Sequence, residues 1–145
     1  MLRMSKKVEY ALIAMVEMTD HKDTELITAK EIAKRYHIPQ EILGKVLQAL
    51  SRKGLIESIQ GVRGGYRASR MWDEITISSI IETVDGPIEL MACNSGNFCD
   101  CDQISVCNIK EPMEILQNEL RAFFNNITLK DIKQSYNVII SPLNN

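Results

Sequence analysis

"TAKEIAKRYHIPQEILGKVLQALSRKGLIESIQGVRGGYRAS", residues 28–69, decides how this 145-residue chain is read. Thr28 followed three residues later by Glu31 has the pattern of a capping box. In that motif the hydroxyl and the carboxylate each accept one orphan backbone N–H, so a helix starts here. Its inward face is Ala29, Ile32 and Ala33, and it runs to about Tyr36. Pro39 lacks the N–H that a helix interior needs but suits a first helical turn. His37 and Ile38 therefore form a tight turn, and a second helix covers residues 39–53. Ile42, Leu43, Val46, Leu47 and Leu50 form its apolar stripe, and Gly54 ends it. "LIESI" then reads as a strand, "QGVRGG" as a glycine-rich turn and "YRAS" as a returning strand. Many helical hairpins share the first half of this pattern. The hairpin that follows makes it a winged helix, whose second helix enters the major groove.

Roles follow from position. Gln40, Glu41, Lys45 and Gln48 lie on the polar side of the second helix and are candidates for base edges. Arg52 and Lys53 at its end are placed to meet phosphates, as are Ser5, Lys6 and Lys7 near the start of the chain. Arg63 stands between glycines at the wing tip, with Arg67 and Arg70 beyond; an arginine on a slim tip can enter a narrow minor groove. Gly44 costs its helix about 1 kcal/mol relative to alanine; it reads either as tolerated drift or as room for DNA or a neighbouring helix to come close.

Charge points the same way. Residues 1–72 hold thirteen Lys and Arg against eight Asp and Glu, whereas residues 73–145 hold four against eleven. A basic front joined to an acidic back suits a polyanionic partner for the front. Apolar residues at 45% and charged residues at 25% are ordinary for a globular protein. No apolar run approaches the roughly 20 residues of a membrane span, so no membrane partner is expected. The opening residues faintly imitate a signal peptide, but Glu9 and Glu17 break the apolar run. A cytoplasmic location is expected.

Before the capping box, residues 5–20 carry Val8, Ala11, Leu12, Met15, Val16 and Met18 at helical spacing, with Ser5 able to cap the start. Beyond the wing, a helix opening near Thr76 points Ile77, Ile80, Ile81 and Val84 inward, and Asp85-Gly86-Pro87 stops it. A further helix begins at about Glu111 or Pro112. Along it Met113, Leu116, Leu120, Phe123 and Ile127 are spaced 3, 4, 3, 4, which is a heptad stripe. A stripe this short also suits a helix facing its own core. Winged-helix proteins generally bind two half-sites, which favours a two-helix seam in a homodimer. The expected architecture is mainly α with a small β wing. It comprises a winged helix-turn-helix over 1–72, a helix and turn over 73–92, a cysteine loop over 93–107, a dimerisation helix and short closing helix over 108–135, and a tail over 136–145.

"CNSGNFCDCDQISVC", residues 93–107, holds all four cysteines. A disulfide knot is the weakest reading, because disulfides seldom persist in the cytoplasm. The spacing Cys-x5-Cys-x-Cys-x5-Cys matches no common zinc hook. Asp100 and Asp102 oppose the thiolate that a simple reactive cysteine needs. Gathered soft thiolates suit an iron–sulfur cluster, zinc or copper(I), and spacing alone does not choose.

Over residues 4 to about 132 the chain resembles the IscR/NsrR-type family of winged-helix transcriptional regulators. The residues that carry the likeness are "KKVEYALIAM", "TAKEIAKRYHIP", "LGKVLQALSRKGLIES", "GVRGGYR", "EITISSIIETVDGPIEL", the cysteine loop and "ITLKDI". The resemblance implies a homodimer with a long crossing helix on a double-stranded DNA operator. It also implies an iron–sulfur cluster, 2Fe–2S or 4Fe–4S, whose state alters DNA binding. Such a cluster is held by three cysteines and a fourth ligand. Here Cys93, Cys101 and Cys107 fill the family positions, with Cys99 as spare or fourth ligand. Cluster-assembly regulators carry a histidine three residues after the last cysteine, where this chain has Lys110, a departure from that type of ligation. Glu9, just before Tyr10-Ala11-Leu12, stands where some relatives supply an acidic ligand from the partner subunit. The expectation is a homodimeric repressor under cluster control, with nitric oxide, oxygen, iron supply or redox potential as the signal. The alternatives are a cluster-free thiol or zinc switch, a repressor controlled by a partner protein, and an iron–sulfur carrier or electron-transfer protein. An enzyme is not expected, because His21 and His37 are the only histidines and no nucleophile or phosphate loop lies near either.

Overall fold

The structure is a computed structural model that describes residues 3–94 and 101–134. Cys99 and the tail from residue 135 lie outside the described residues. The described residues form six α-helices and one small hairpin: α1 Lys6–Asp20, α2 Ala29–Tyr36, α3 Gln40–Arg52, β1 Ile56–Ile59, β2 Gly65–Ala68, α4 Ile77–Val84, α5 Lys110–Asn125 and α6 Leu129–Gln134. Short 3-10 turns occupy Trp72–Glu74 and Ala92–Asn94.

Hydroxyl caps open most of these helices. Ser5 Oγ accepts from the Val8 N–H at 3.3 Å, and Thr76 Oγ1 accepts from that of Ser79 at 3.2 Å. The capping box at Thr28 closes in both directions, 3.2 Å from the Glu31 N–H to Thr28 Oγ1 and 2.7 Å from the Thr28 N–H to Glu31 Oε2. Thr128 and Asp131 repeat the motif ahead of α6 at 3.2 and 2.8 Å. Between α2 and α3, His37 adopts a left-handed φ of 54°, which turns the chain sharply. The α5 helix starts at Lys110, slightly before the expected position.

The wing strands pair antiparallel, Ile56 with Ala68 through to Ile59 with Gly65. Ile27 adds a bridge to Tyr66, with hydrogen bonds of 2.9 and 2.8 Å, so the segment before α2 locks the wing against the helices. A Cβ on Gly64 would stand 2.3 Å from the Ile59 carbonyl oxygen. The hairpin turn therefore excludes any side chain at that position.

Met15, Met18, Ile32, Leu43, Leu47, Leu50 and Ile56 form the centre of the core. Each such residue contributes about 1.5–3 kcal/mol by leaving water. The core continues past residue 72 through Ile75, Ile77, Ile80 and Leu129. Backbone bonds from Leu129 to Ile75 and from Ile77 to Ile127, 2.8 and 2.9 Å, tie α6 to the start of α4. Lys133 straps α6 onto α1: its Nζ donates to the Thr19 carbonyl at 2.8 Å, lies 3.0 Å from Asp20 and sits 5.1 Å above the Trp72 ring centre.

One position on α3 differs from the expected apolar stripe. Ile42 is 42% exposed, because Leu43, Val46, Leu47 and Leu50 alone span the face that meets the core. Among the described residues no helix is long and apolar enough to cross a membrane.

Candidate DNA-reading surface and thiol segment

The open face of α3 carries Gln40, Glu41, Gly44, Lys45 and Gln48 around one shallow depression. Lys45 Nζ lies 3.3 Å from Glu41 Oε1, with both side chains well exposed. A Cβ on Gly44 would meet nothing within 4 Å, so this glycine faces open space and not a neighbouring helix of the chain. Arg52 and Lys53 are exposed at the far end of the helix. Ser5, Lys6 and Lys7 come from the start of α1, yet they share a groove of about 700 Å³ with Ile42 and Lys45. Residues expected to touch phosphate are thus beside those expected to read bases.

The two wing arginines are placed differently. Arg63 is exposed at the tip beside the fully exposed Val62. Arg67 is turned back: its Nε and Nη2 each lie 2.7 Å from Glu57 Oε2, and its Nη1 donates to the Asp23 carbonyl at 3.3 Å. It braces the wing against the loop after α1.

One polar anchor was not anticipated. Glu17 is buried at 6% exposure. Its carboxylate accepts from the Arg35 guanidinium and the Tyr36 hydroxyl, and lies 3.2 Å from His21 Nε2. The last turn of α2 is thereby fastened to α1 immediately before the turn that aims α3. The signal available in the sequence was an acid within an apolar helix, a pattern that does not identify a partner.

Cys93 is half-buried in the 3-10 turn Ala92–Asn94, and Cys101 and Cys107 are half-buried further on. Residues 101–106 form consecutive turns, with the Ile104 N–H bonded to the Cys101 carbonyl at 3.1 Å and the Val106 N–H to that of Gln103 at 3.0 Å. The Cys101 thiol donates to Gln103 Oε1 at 3.4 Å. No disulfide joins these three thiols to one another. Among the described residues no three His, Cys, Asp or Glu side chains gather as a metal-binding group. The donor set nonetheless fits an iron–sulfur cluster chemically, because three soft, half-exposed sulfurs lie in one short segment. Glu9 is partly exposed and pairs with Lys6 at 2.6 Å. That hydrogen bond, reinforced by the carboxylate charge, holds the Lys6 ammonium above its ordinary pKa of 10.5.

The chain entering the thiol segment is gripped by α5. Gln117, 2% exposed, accepts the Leu90 N–H at 3.0 Å, and Arg121 Nε donates to the Ile88 carbonyl at 3.0 Å. A cavity of about 320 Å³ lies beside this grip, walled by Ser5, Val8 of α1, Pro87, Leu90, and Leu120 and Phe124 of α5. The heptad positions divide. Leu116 and Phe123 are 53% and 37% exposed, beside an Ile115 that is 65% exposed. Met113 and Leu120 are half-buried, and Ile127 packs on the core.

A family model described as "Iron-dependent Transcriptional regulator", Rrf2, matches residues 4–135. The chain belongs to the Rrf2 family. It is 33% identical over 133 residues to a protein of Aquifex aeolicus named as an HTH-type transcriptional regulator, which covers 88% of this chain and 89% of that one. It is 27% identical over 137 residues to the HTH-type transcriptional regulator IscR of Photobacterium profundum, covering 94% and 78%. Among solved structures it resembles CymR, the global cysteine regulator of B. subtilis, with a TM-score of 0.70 and 25% identity over 92% of this chain and 98% of that one. T. potens IscR shares the fold at a TM-score of 0.67 and 23% identity, over 94% and 90%. As an Rrf2-family protein the chain is a DNA-binding, winged-helix transcriptional regulator.

Proposed function

We propose that this Rrf2-family protein is a homodimeric repressor whose operator affinity is set by an iron–sulfur cluster on the thiol segment. The observation that carries the reading is the grip of Gln117 and Arg121 on residues 88–90, because it joins the approach to Cys93 to the helix with the exposed apolar side chains. Cys93, Cys101 and Cys107 would supply three ligands, and Cys99 or the Glu9 carboxylate a fourth. Thiolate ligation to one cluster would draw these separate positions together and restrain the segment.

The rest belongs to the chain. Leu116 and Phe123 offer an apolar stripe to a second copy, and pairing two copies through α5 sets the separation of two α3 helices and two Arg63 tips. Gln117 and Arg121 pass a change in the thiol segment to α5 through two hydrogen bonds between their side chains and the backbone of residues 88–90. A coupling of about 1–3 kcal/mol is enough to switch operator occupancy.

Anaerobic purification followed by iron and sulfide analysis, with duplex binding titrated against salt, tests this reading. Coloured protein containing iron and sulfide is expected, with affinity falling steeply as salt rises. Colourless anaerobic protein carrying zinc would remove the cluster and leave the DNA reader. The second reading is a cluster-free thiol switch, and the Cys101 thiol donating to Gln103 is the observation that favours it.

A further inference from the structure

No other large apolar side chain of α3 is exposed as Ile42 is, at 42%. A single exposed aliphatic residue is ordinary on a protein surface. Its surroundings are what distinguish this one. Ile42 and Tyr10 share a groove with Ser5, Lys6, Lys7 and Lys45. The rim is therefore cationic and hydroxylated, while Ile42 supplies apolar surface between the helix that carries Lys6 and Lys7 and the face that carries Lys45. In the major groove the 5-methyl of thymine is the one apolar group that a base pair presents. It lies on the side of the base nearest its own sugar–phosphate strand. A side chain between phosphate contacts and base-edge contacts is therefore where that methyl would be met.

We propose that Ile42 is a specificity-determining residue that reads the 5-methyl group of a thymine, giving this regulator a preference for T over C at one position of each half-site. The inference rests on the DNA-binding reading above, and α3 supplies its other half: Gln40, Lys45 and Gln48 offer hydrogen bonds to base edges, while Ile42 is the large apolar side chain of α3 exposed beside them, with the smaller, partly buried Ala49 deeper in the same groove. A protein partner is a poorer occupant, since its apolar patch would have to seat against three lysines.

Binding duplexes are selected from a random pool with the wild-type chain. Each thymine of the selected site is then replaced, one at a time, by deoxyuridine, which lacks only the methyl. Affinities are measured by fluorescence anisotropy at one salt concentration for wild type, Ile42→Ala and Ile42→Gln. One position per half-site is expected to cost wild type about fourfold, the equivalent of about 0.8 kcal/mol for one apolar carbon group. Both variants should bind more weakly and be indifferent to the same replacement. Wild-type affinity that is unchanged by deoxyuridine at every position overturns the proposal without needing a variant to fold. A loss in either folded variant equal to that of wild type overturns it as well. Failure to bind any selected duplex would instead strike the DNA-binding reading beneath it.

Discussion

Arg63 and Arg67 are four residues apart on one hairpin and have different surroundings. Arg63 is exposed at the tip, whereas Arg67 is spent on Glu57 and Asp23. Arg63→Ala should lower duplex affinity and flatten the plot of log affinity against log salt by about 0.9 for each phosphate that Arg63 neutralises, with an unchanged urea midpoint. Arg67→Ala should leave that slope alone and cost about 0.5–1 kcal/mol of stability, the range of a partly exposed ion pair. Anisotropy at several salt concentrations and urea melts distinguish the two. Glu17 makes the opposite argument, from burial. Replacing it by Gln leaves Arg35 and Tyr36 facing a neutral amide, and a cost of about 1–3 kcal/mol is expected in urea unfolding. An unchanged midpoint would show that the bonds to α2 contribute nothing. The tip position of Arg63 was legible in the sequence, but the partners of Arg67 and Glu17 were not, because those hydrogen bonds reach residues distant along the chain.

Elements were more legible than residues, because their ends are local chemistry. Ser5, Thr28 and Thr76 announced three helix starts, and Gly54 announced one end. The bridges Ile27–Tyr66 and Thr76–Thr128 were not legible, since nothing near either residue specifies a distant backbone partner. The two capping boxes also give a pH dependence. Hydrogen bonds from the backbone N–H groups of Thr28 and Thr128, and then from their hydroxyls, hold the Glu31 and Asp131 carboxyls below their ordinary pKa values of 4.5 and 3.8. A depressed folded-state pKa means the stabilisation is fully present above the unfolded value and fades as pH falls through the folded one. The acid limb of the stability curve should therefore begin near pH 4.5 for Glu31, and Thr28→Val should shift part of that loss to neutral pH. Both carboxylates lie near solvent, so the effect is modest. Circular dichroism melts across the acid range measure it, and an unchanged acid limb in Thr28→Val would contradict it.

At the scale of the molecule, basic residues concentrate before residue 72 and acidic ones after it, yet one core joins both parts through Ile75, Ile80 and Leu129. Charge separation was visible in the sequence, but shared packing was not, because hydrophobic periodicity gives the inward face of a helix and not its neighbour. The same limit applies to α5. Its heptad pattern was plain, and the structure divides it into exposed Leu116 and Phe123 and core-packed Ile127. Leu116→Glu with Phe123→Glu should convert a dimer to a monomer in sedimentation velocity and lower operator affinity at least tenfold, about 1.4 kcal/mol. A variant that still sediments as a dimer would move the interface elsewhere. The whole account turns on whether the thiol segment governs the DNA-reading surface. The most direct measurement is operator affinity by anaerobic anisotropy, before and after metal removal, for wild type and for Cys93→Ser, Cys101→Ser and Cys107→Ser combined. Wild type is predicted to change its affinity about 5- to 150-fold on metal removal and the triple variant not at all. A wild-type affinity that does not respond to metal removal would contradict the account.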